Sequence, residues 1–426
     1  MTEKKVEGLP KSKGLFAVDV VQFEKIRGFG LGIVEAAVYL ALLAGSDKSN
    51  ILSTWGIKGI RTYTGFTRAE TKAAIDNLSR CGLVEQLTVN NRHSRREPRY
   101  RLPTHESRHA LRGKEKAVLE VIVAGCQPSC DSEIQAAHRA KDKGWIERRG
   151  SDWQIVEYSN EVAFIPNSFV IADDGNSPLS RLITYGELGP VMLAIELYQH
   201  QNLMENRGVP ANMVRKYWAN ESTDFLGRHK LHHLELGRTY NNSETNKKSS
   251  FDGASSHPWR TLAFWDNLHV LEALNIVEWA AYSANGKPTA GDDYAFNHPQ
   301  RPLGVLRGGK QVRSTPEAIP AFLSYVIQLL HNGEIGPDTP LQLDDLVLDW
   351  QVISPIIAIE NATVSHVEAV GILRMVHRAD TATNKVWYKE LCEECENAVF
   401  FIEQAITSKF PQIVDITTVI RSSLNS

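Results

Sequence analysis

Residues 67–82 read TRAETKAAIDNLSRCG. Ala74, Ile75, Leu78 and Cys81 recur at helical spacing, while Arg68, Thr71, Lys72 and Arg80 are left mostly on other faces. Thr67 with Glu70 three residues on is a capping box, in which each side chain satisfies the other's backbone N–H. Gly82 stands where a helix end favours a left-handed residue. The stretch predicts one amphipathic helix with both ends marked.

The neighbours extend the pattern in both directions. Upstream, LGIVEAAVYLALLAG (31–45) is apolar at most positions and predicts a buried helix ending at Gly45. STWGIKGIRTYTG (53–65) predicts a short second helix, and Phe66 and Thr67 leave room for a tight turn. Downstream, LVEQLTV (83–89) alternates like a strand, NNRHSRREP (90–98) is a polar loop and RYRLP (99–103) is a returning strand. Helix, helix, tight turn, helix, strand, basic loop and strand together resemble the winged helix-turn-helix superfamily, over residues of about 30 to 103.

That resemblance implies binding to duplex DNA. A helix fits the major groove with its N-terminal turn nearest the base edges. Thr67, Arg68, Thr71 and Lys72 then form the groove-facing set, with Arg68 suited to a guanine. The loop carrying Asn91, Arg92, His93, Arg95 and Arg96 is the expected wing on phosphates or a minor-groove edge. Arg99 and Arg101 add charge on the return strand, and Arg61 is a candidate backbone clamp.

Charge distribution agrees with a DNA-facing N-terminal end. The 426 residues carry a net charge of −3, but residues 1–113 hold 19 Lys/Arg against 11 Asp/Glu. Long-range attraction to phosphate would come from that end. At the other end, residues 302–426 hold 9 Lys/Arg against 15 Asp/Glu, which suits partner contact or self-association better than DNA.

A second copy of the pattern is expected further on. GPVMLAIELYQHQN (189–202) reads as a first helix, PANMVRKYW (210–218) as a second with Pro at its first position, and WRTLAFWDNLHVLEALNIVEW (259–279) as a third helix leading into a strand. Leu78, Gly82, Val84 and Glu85 correspond to Leu271, Asn275, Val277 and Glu278. A long polar insertion (219–257) separates the second and third helices, and Gly286–Thr289 with Gly291–Asp293 would form the wing tip. Arg260, Thr261, Asp266, Asn267 and His269 are weaker DNA candidates, as are Arg228, His229, Lys230, Arg238, Lys247 and Lys248 in the insertion. LFAVDVVQF (15–23) and VAFIPNSFVI (162–171) lead into the two units. Such extended lead-ins resemble winged-helix units of plasmid and phage replication initiators.

The expected architecture is mainly α with small β wings. It comprises a flexible arm (1–14), a first winged helix (15–103), a linker or degenerate winged-helix-like segment (104–160), a second winged helix (161–300), a linker (301–314) and an acidic helical domain (315–426). The expected function is non-enzymatic. A sequence-specific transcriptional regulator comes first, a replication initiator second, and a winged-helix scaffold making protein contacts third. Double-stranded DNA is the expected partner, with a homodimer or higher oligomer and a protein partner at the C-terminal domain.

Other chemistry is discounted. Cys126 with Cys130 and Cys392 with Cys395 lack a histidine at ligand spacing, and His229, His232 and His233 lack cysteine or carboxylate companions, so no metal is expected. GVLRGGKQ (304–311) has Gln311 where a phosphate-binding loop needs Ser or Thr, and it is read as a basic linker. No cofactor motif, membrane-length apolar run or secretory leader is read, and sparse cysteines suit the cytoplasm.

Overall fold

The computed structural model of the chain describes residues 14–46, 52–87, 99–102, 114–123, 127–142, 146–149, 152–155, 162–172, 174–211, 213–235, 263–285, 301–336, 356–365 and 367–411. Two units divide the chain, Met1–Gln199 and His200–Ser426.

The first unit opens with β1 (Leu15–Asp19) and α1 (Val20–Gly28), where Asp19 caps the helix by accepting the Gln22 N–H at 3.0 Å. α2 (Ile33–Ala44) is buried continuously from Ala36 to Ala44, as expected of a helix wrapped on all sides. β2 (Leu52–Ser53), α3 (Ile57–Thr64) and α4 (Arg68–Arg80) follow, and both helices pack on α2. β3 (Glu85–Leu87) and β4 (Arg99–Arg101) complete a three-stranded antiparallel sheet in the order β2-β4-β3.

Next come α5 (Lys114–Val123), α6 (Asp131–Asp142) and a hairpin of β5 (Ile146–Arg149) and β6 (Asp152–Ile155). Val118, Ile122, Ala136, Ala137, Ala140 and Trp153 give this segment its own small core. β7 (Val162–Pro166) then pairs antiparallel with β1, from Leu15 opposite Pro166 to Asp19 opposite Val162. The two lead-in segments are therefore each other's strand partners. α7 (Pro178–Tyr185) and α8 (Leu188–His200) run to the unit boundary.

The second unit overturns the expected architecture. α9 (Leu203–Asn206) precedes β8 (Arg215–Leu226) and β9 (His229–Glu235). α10 (Ala263–Ala273), β10 (Val277–Asn285), β11 (Pro302–Arg307), β12 (Lys310–Gln311) and α11 (Ala318–Asn332) follow. β13 (Ile356–Asn361), β14 (Val367–Met375) and α12 (Ala382–Lys409) end it. The strands form one seven-stranded antiparallel sheet in the order β12-β11-β10-β14-β8-β9-β13. The chain is thus not mainly helical with small wings, nor is its C-terminal part a helical domain.

Particular segments show why. Arg215–Trp218, expected in a helix, pairs as a strand with Ile372–Ala369 of β14. Pro210 starts one turn, its carbonyl accepting the N–H of Met213 at 2.9 Å, and the chain then extends. Part of the expected polar insertion is sheet, since β8 continues to Leu226 and β9 returns beside it. Residues 304–311 form a hairpin with Gly308 and Gly309 both at positive φ, the pairing that a tight two-residue turn requires, rather than a linker. The expected wing-tip residues 286–293 lie outside the described residues.

The sheet is curled. Five strand spacings of about 4.8 Å would hold β11 and β13 roughly 24 Å apart in a flat sheet. Arg301, immediately before β11, nonetheless donates to the Ile359 carbonyl at 2.8 Å and meets the Glu360 carboxylate at 3.0 Å on β13. Its guanidinium also lies 3.8 Å from the centre of the Phe401 ring. α11 and α12 close over the apolar face, where Phe322, Val326, Ile327, Val399 and Ile402 pack with Leu226, Leu231, Ile357 and Ile359.

A buried ion cluster pins the middle of the sheet. Glu278 on β10 is 0% exposed. Its carboxylate accepts from Arg374 Nε at 2.7 Å, Arg378 Nη1 at 2.9 Å and Arg307 Nη2 at 2.6 Å. Arg374, 1% exposed, also lies 2.8 Å from Glu317 just before α11. Burial opposes ionisation of Glu278, but Arg374 and Arg378 outweigh it and hold its pKa at about 2 against an ordinary 4.5.

Replacing Glu278 by Gln strands buried guanidiniums and should lower unfolding stability by about 3–5 kcal/mol, read by urea denaturation of the full chain. A depressed folded-state pKa contributes stability in full above the ordinary value, lost as pH falls from about 4.5 towards 2. The Gln variant should therefore lose less stability than the parent across that window.

Candidate nucleic-acid interface

α3 ends at Gly65, whose φ of 74° is the left-handed conformation that glycine adopts without strain, and its N–H bonds the Arg61 carbonyl at 3.0 Å. The turn through Phe66 is tied from the side, because Arg61 Nε donates to the Phe66 carbonyl at 3.2 Å. α4 then starts at a complete capping box. Thr67 accepts the Glu70 N–H at 3.2 Å, and Glu70 accepts the Thr67 N–H at 2.8 Å and its hydroxyl at 2.7 Å. The bonds from Thr67 hold the Glu70 carboxyl below its usual range.

The inner face of α4 is Thr71, Ala74, Ile75 and Leu78. Asn77 fastens the helix to the start of α2 through a 2.7 Å bond to Glu35, which itself caps α2 at Gly32. Burial works against that carboxylate, yet the Asn77 and backbone bonds keep Glu35 below its ordinary pKa. Trp55 stacks on Tyr63 with ring centres 4.6 Å apart, securing the chain between β2 and α3.

The expected site residues separate into distinct groups. Arg68 and Lys72 are exposed on α4, as expected. Thr71 is a correction: it is 0% exposed and its hydroxyl donates to the Thr67 carbonyl at 2.9 Å, so it cannot reach a base. Thr67 is exposed, but its hydroxyl serves the cap. Arg61 is exposed and braces the turn. Arg101 faces solvent beside Glu85 at 3.1 Å, with side chains 53% and 55% exposed, a pairing worth little to stability. Arg99 is paired in β4 opposite Leu87. Asn91, Arg92, His93, Arg95 and Arg96 lie outside the described residues.

The outward face of α4 holds more than the cations and threonines expected there. Arg68, Ala69, Lys72, Ala73 and Asp76 are all exposed. Their spacing, one and four residues apart over two turns, sets them on one side of a 3.6-residue helix. Two alanines keep that face low, two cations border it, and Asp76 supplies an acceptor. Spacing alone could have found Ala69, Ala73 and Asp76 once Thr71 was assigned to the core.

The second unit offers less. Asn267 is buried, His269 meets Glu272 at 3.1 Å, and Arg260 and Thr261 are outside the described residues, as are Arg238, Lys247 and Lys248. His229 is buried on β9, and Lys230 donates to the Val364 carbonyl at 2.9 Å. Among the described residues, no group of three or more His, Cys, Asp or Glu side chains could hold a metal. Cys392 and Cys395 lie within α12, where burial pushes the Cys395 thiol up in pKa, and Cys126 is outside the described residues. No described helix is long and apolar enough to cross a membrane.

Because Thr67 acts as a cap, Thr67→Ala should cost about 1 kcal/mol of stability in a thermal melt, and Thr67→Asp should restore most of it. Comparison with protein-family models, curated proteins and solved structures finds no match for this chain.

Proposed function

We propose that this protein is a non-enzymatic, sequence-specific duplex DNA-binding regulator that reads the major groove with α4. The observation that carries the reading is the outward face of α4: Arg68 and Lys72 beside the exposed alanines, on a helix capped behind a braced tight turn. Such a face suits a groove walled by phosphates and floored by base edges. The strand order β2-β4-β3 beside three packed helices supports a winged helix-turn-helix assignment for this part of the chain. The basic residues of 90–96 then act as the wing, and the positive balance of the N-terminal end steers it to DNA. Two copies, each presenting one α4, would read paired half-sites.

The initiator reading loses part of its support: helices do stand at Leu188–His200 and Ala263–Ala273, the latter leading into a strand as expected, but the expected second helix between them runs as strand in the seven-stranded sheet. Sequencing duplex fragments captured from the host genome tests the remaining choice. Promoter fragments are expected; iterated repeats at a replication origin would assign initiation instead.

Gel shifts at graded salt test the interface. Changing Arg92, Arg95 and Arg96 to Ala should weaken binding to every duplex and flatten the salt slope by roughly 0.9 for each phosphate no longer neutralised. Arg68→Ala should cost about 1–3 kcal/mol on the selected site and relax its sequence preference. No affinity for any duplex at low salt would sink the proposal and favour a scaffold.

A further inference from the structure

Asp76 is an exposed carboxylate in the middle of the face assigned to DNA. Phosphate repels it, so it adds nothing to general affinity. The helix dipole does not explain it, since Asp76 lies beyond the first turn, and of the cations four residues to either side, Lys72 and Arg80, Arg80 is turned to the Asn77 side chain. Among the described residues its side chain makes no hydrogen bond or ion pair. Eight residues after Arg68 and three after Ala73, it shares their side of α4, and the short alanine side chains at Ala69 and Ala73 let the helix approach closely enough for it to reach a base.

Resting on the DNA-reading proposal above, we infer that Asp76 is a specificity-determining residue that selects cytosine in the major groove. There the amino groups of cytosine and adenine are the donors that a carboxylate can accept from. Adenine presents its N7 acceptor beside that amino group, which opposes a carboxylate but suits an amide; cytosine has no such neighbour. The carboxylate therefore favours cytosine, and Asn at the same position would favour adenine. With a rise of 1.5 Å per residue, Asp76 stands about 12 Å along the helix from Arg68, or roughly three to four base pairs. The selected cytosine should lie at about that distance from the base pair that Arg68 meets.

The test is selection from a randomised duplex library with the full chain and with Asp76→Asn and Asp76→Ala, followed by sequencing of the bound duplexes. Thermal melts should confirm that both variants keep their fold, since the position is exposed. The parent chain is expected to enrich a motif with one fixed cytosine that depends on Asp76. Asp76→Ala should lower discrimination at that position by roughly tenfold, leave the other positions unchanged and bind unrelated duplex more tightly. Asp76→Asn should move the preference to adenine. Variants that enrich the same cytosine as the parent would overturn the assignment of Asp76 while leaving DNA reading intact. A parent chain that enriches no motif would overturn the DNA-reading proposal and this inference with it.

Discussion

Glu278 sits out of water among three guanidiniums, and a carboxylate so placed costs several kcal/mol unless its lone pairs are met. They are met from β11, from β14 and from the residues just after β14, while Glu317 takes the far side of Arg374. The cluster is therefore a condition on register. Sliding β10 by one residue against β14 would turn Glu278 to the opposite face of the sheet and leave Arg374 buried without it. Apolar packing against α11 and α12 tolerates small shifts, whereas this network does not. Trp387, with its ring centre 5.5 Å from Arg374 and 5.4 Å from Arg378, brings α12 into the same constraint.

In the first unit the same accounting of polar groups decides which face of α4 is available. Thr67, Glu70, Thr71 and Asn77 are each committed to a bond inside the unit. What remains outward is short or charged: Arg68, Ala69, Lys72, Ala73 and Asp76. A polar residue is a candidate reader after its internal obligations have been subtracted, and Thr71 shows how far that subtraction can change the set.

α2, α3 and α4 were legible because their periodicity and end signals agree, whereas α1 begins inside the stretch read as an extended lead-in and α7 went unread. Thr67 with Glu70, Gly65 and Gly45 all stand at real helix ends. The sheet of the second unit was not legible for the opposite reason. Five of the six residues of Ile356–Asn361 and eight of the nine of Val367–Met375 are buried, so neither strand alternates between apolar and polar. A continuous apolar run reads equally well as a buried helix. Ile356, Ile357 and Ile359, with Val367, Val370 and Ile372 in β14, were the compositional hint towards strand. The likeness between residues 15–23 and 162–171 was visible, but likeness does not reveal pairing, and β1 and β7 pair with each other.

That pairing bears on how the protein is made. β1 leaves the ribosome before β7, and the strand it needs arrives only after residues 20–161 have been made. Bringing the ends of so long a stretch together is entropically unfavourable until the intervening segments have condensed. The three helices and small sheet between Ile33 and Arg101, and the α5–α6 hairpin core after them, hold enough local contacts to condense first. β1 is then the waiting half of a clasp, with Leu15 and Ala17 idle until β7 emerges. Slowing elongation before residue 162 would prolong the exposure of that strand, so the first unit's vulnerability in the cell is set by translation tempo as well as by equilibrium stability.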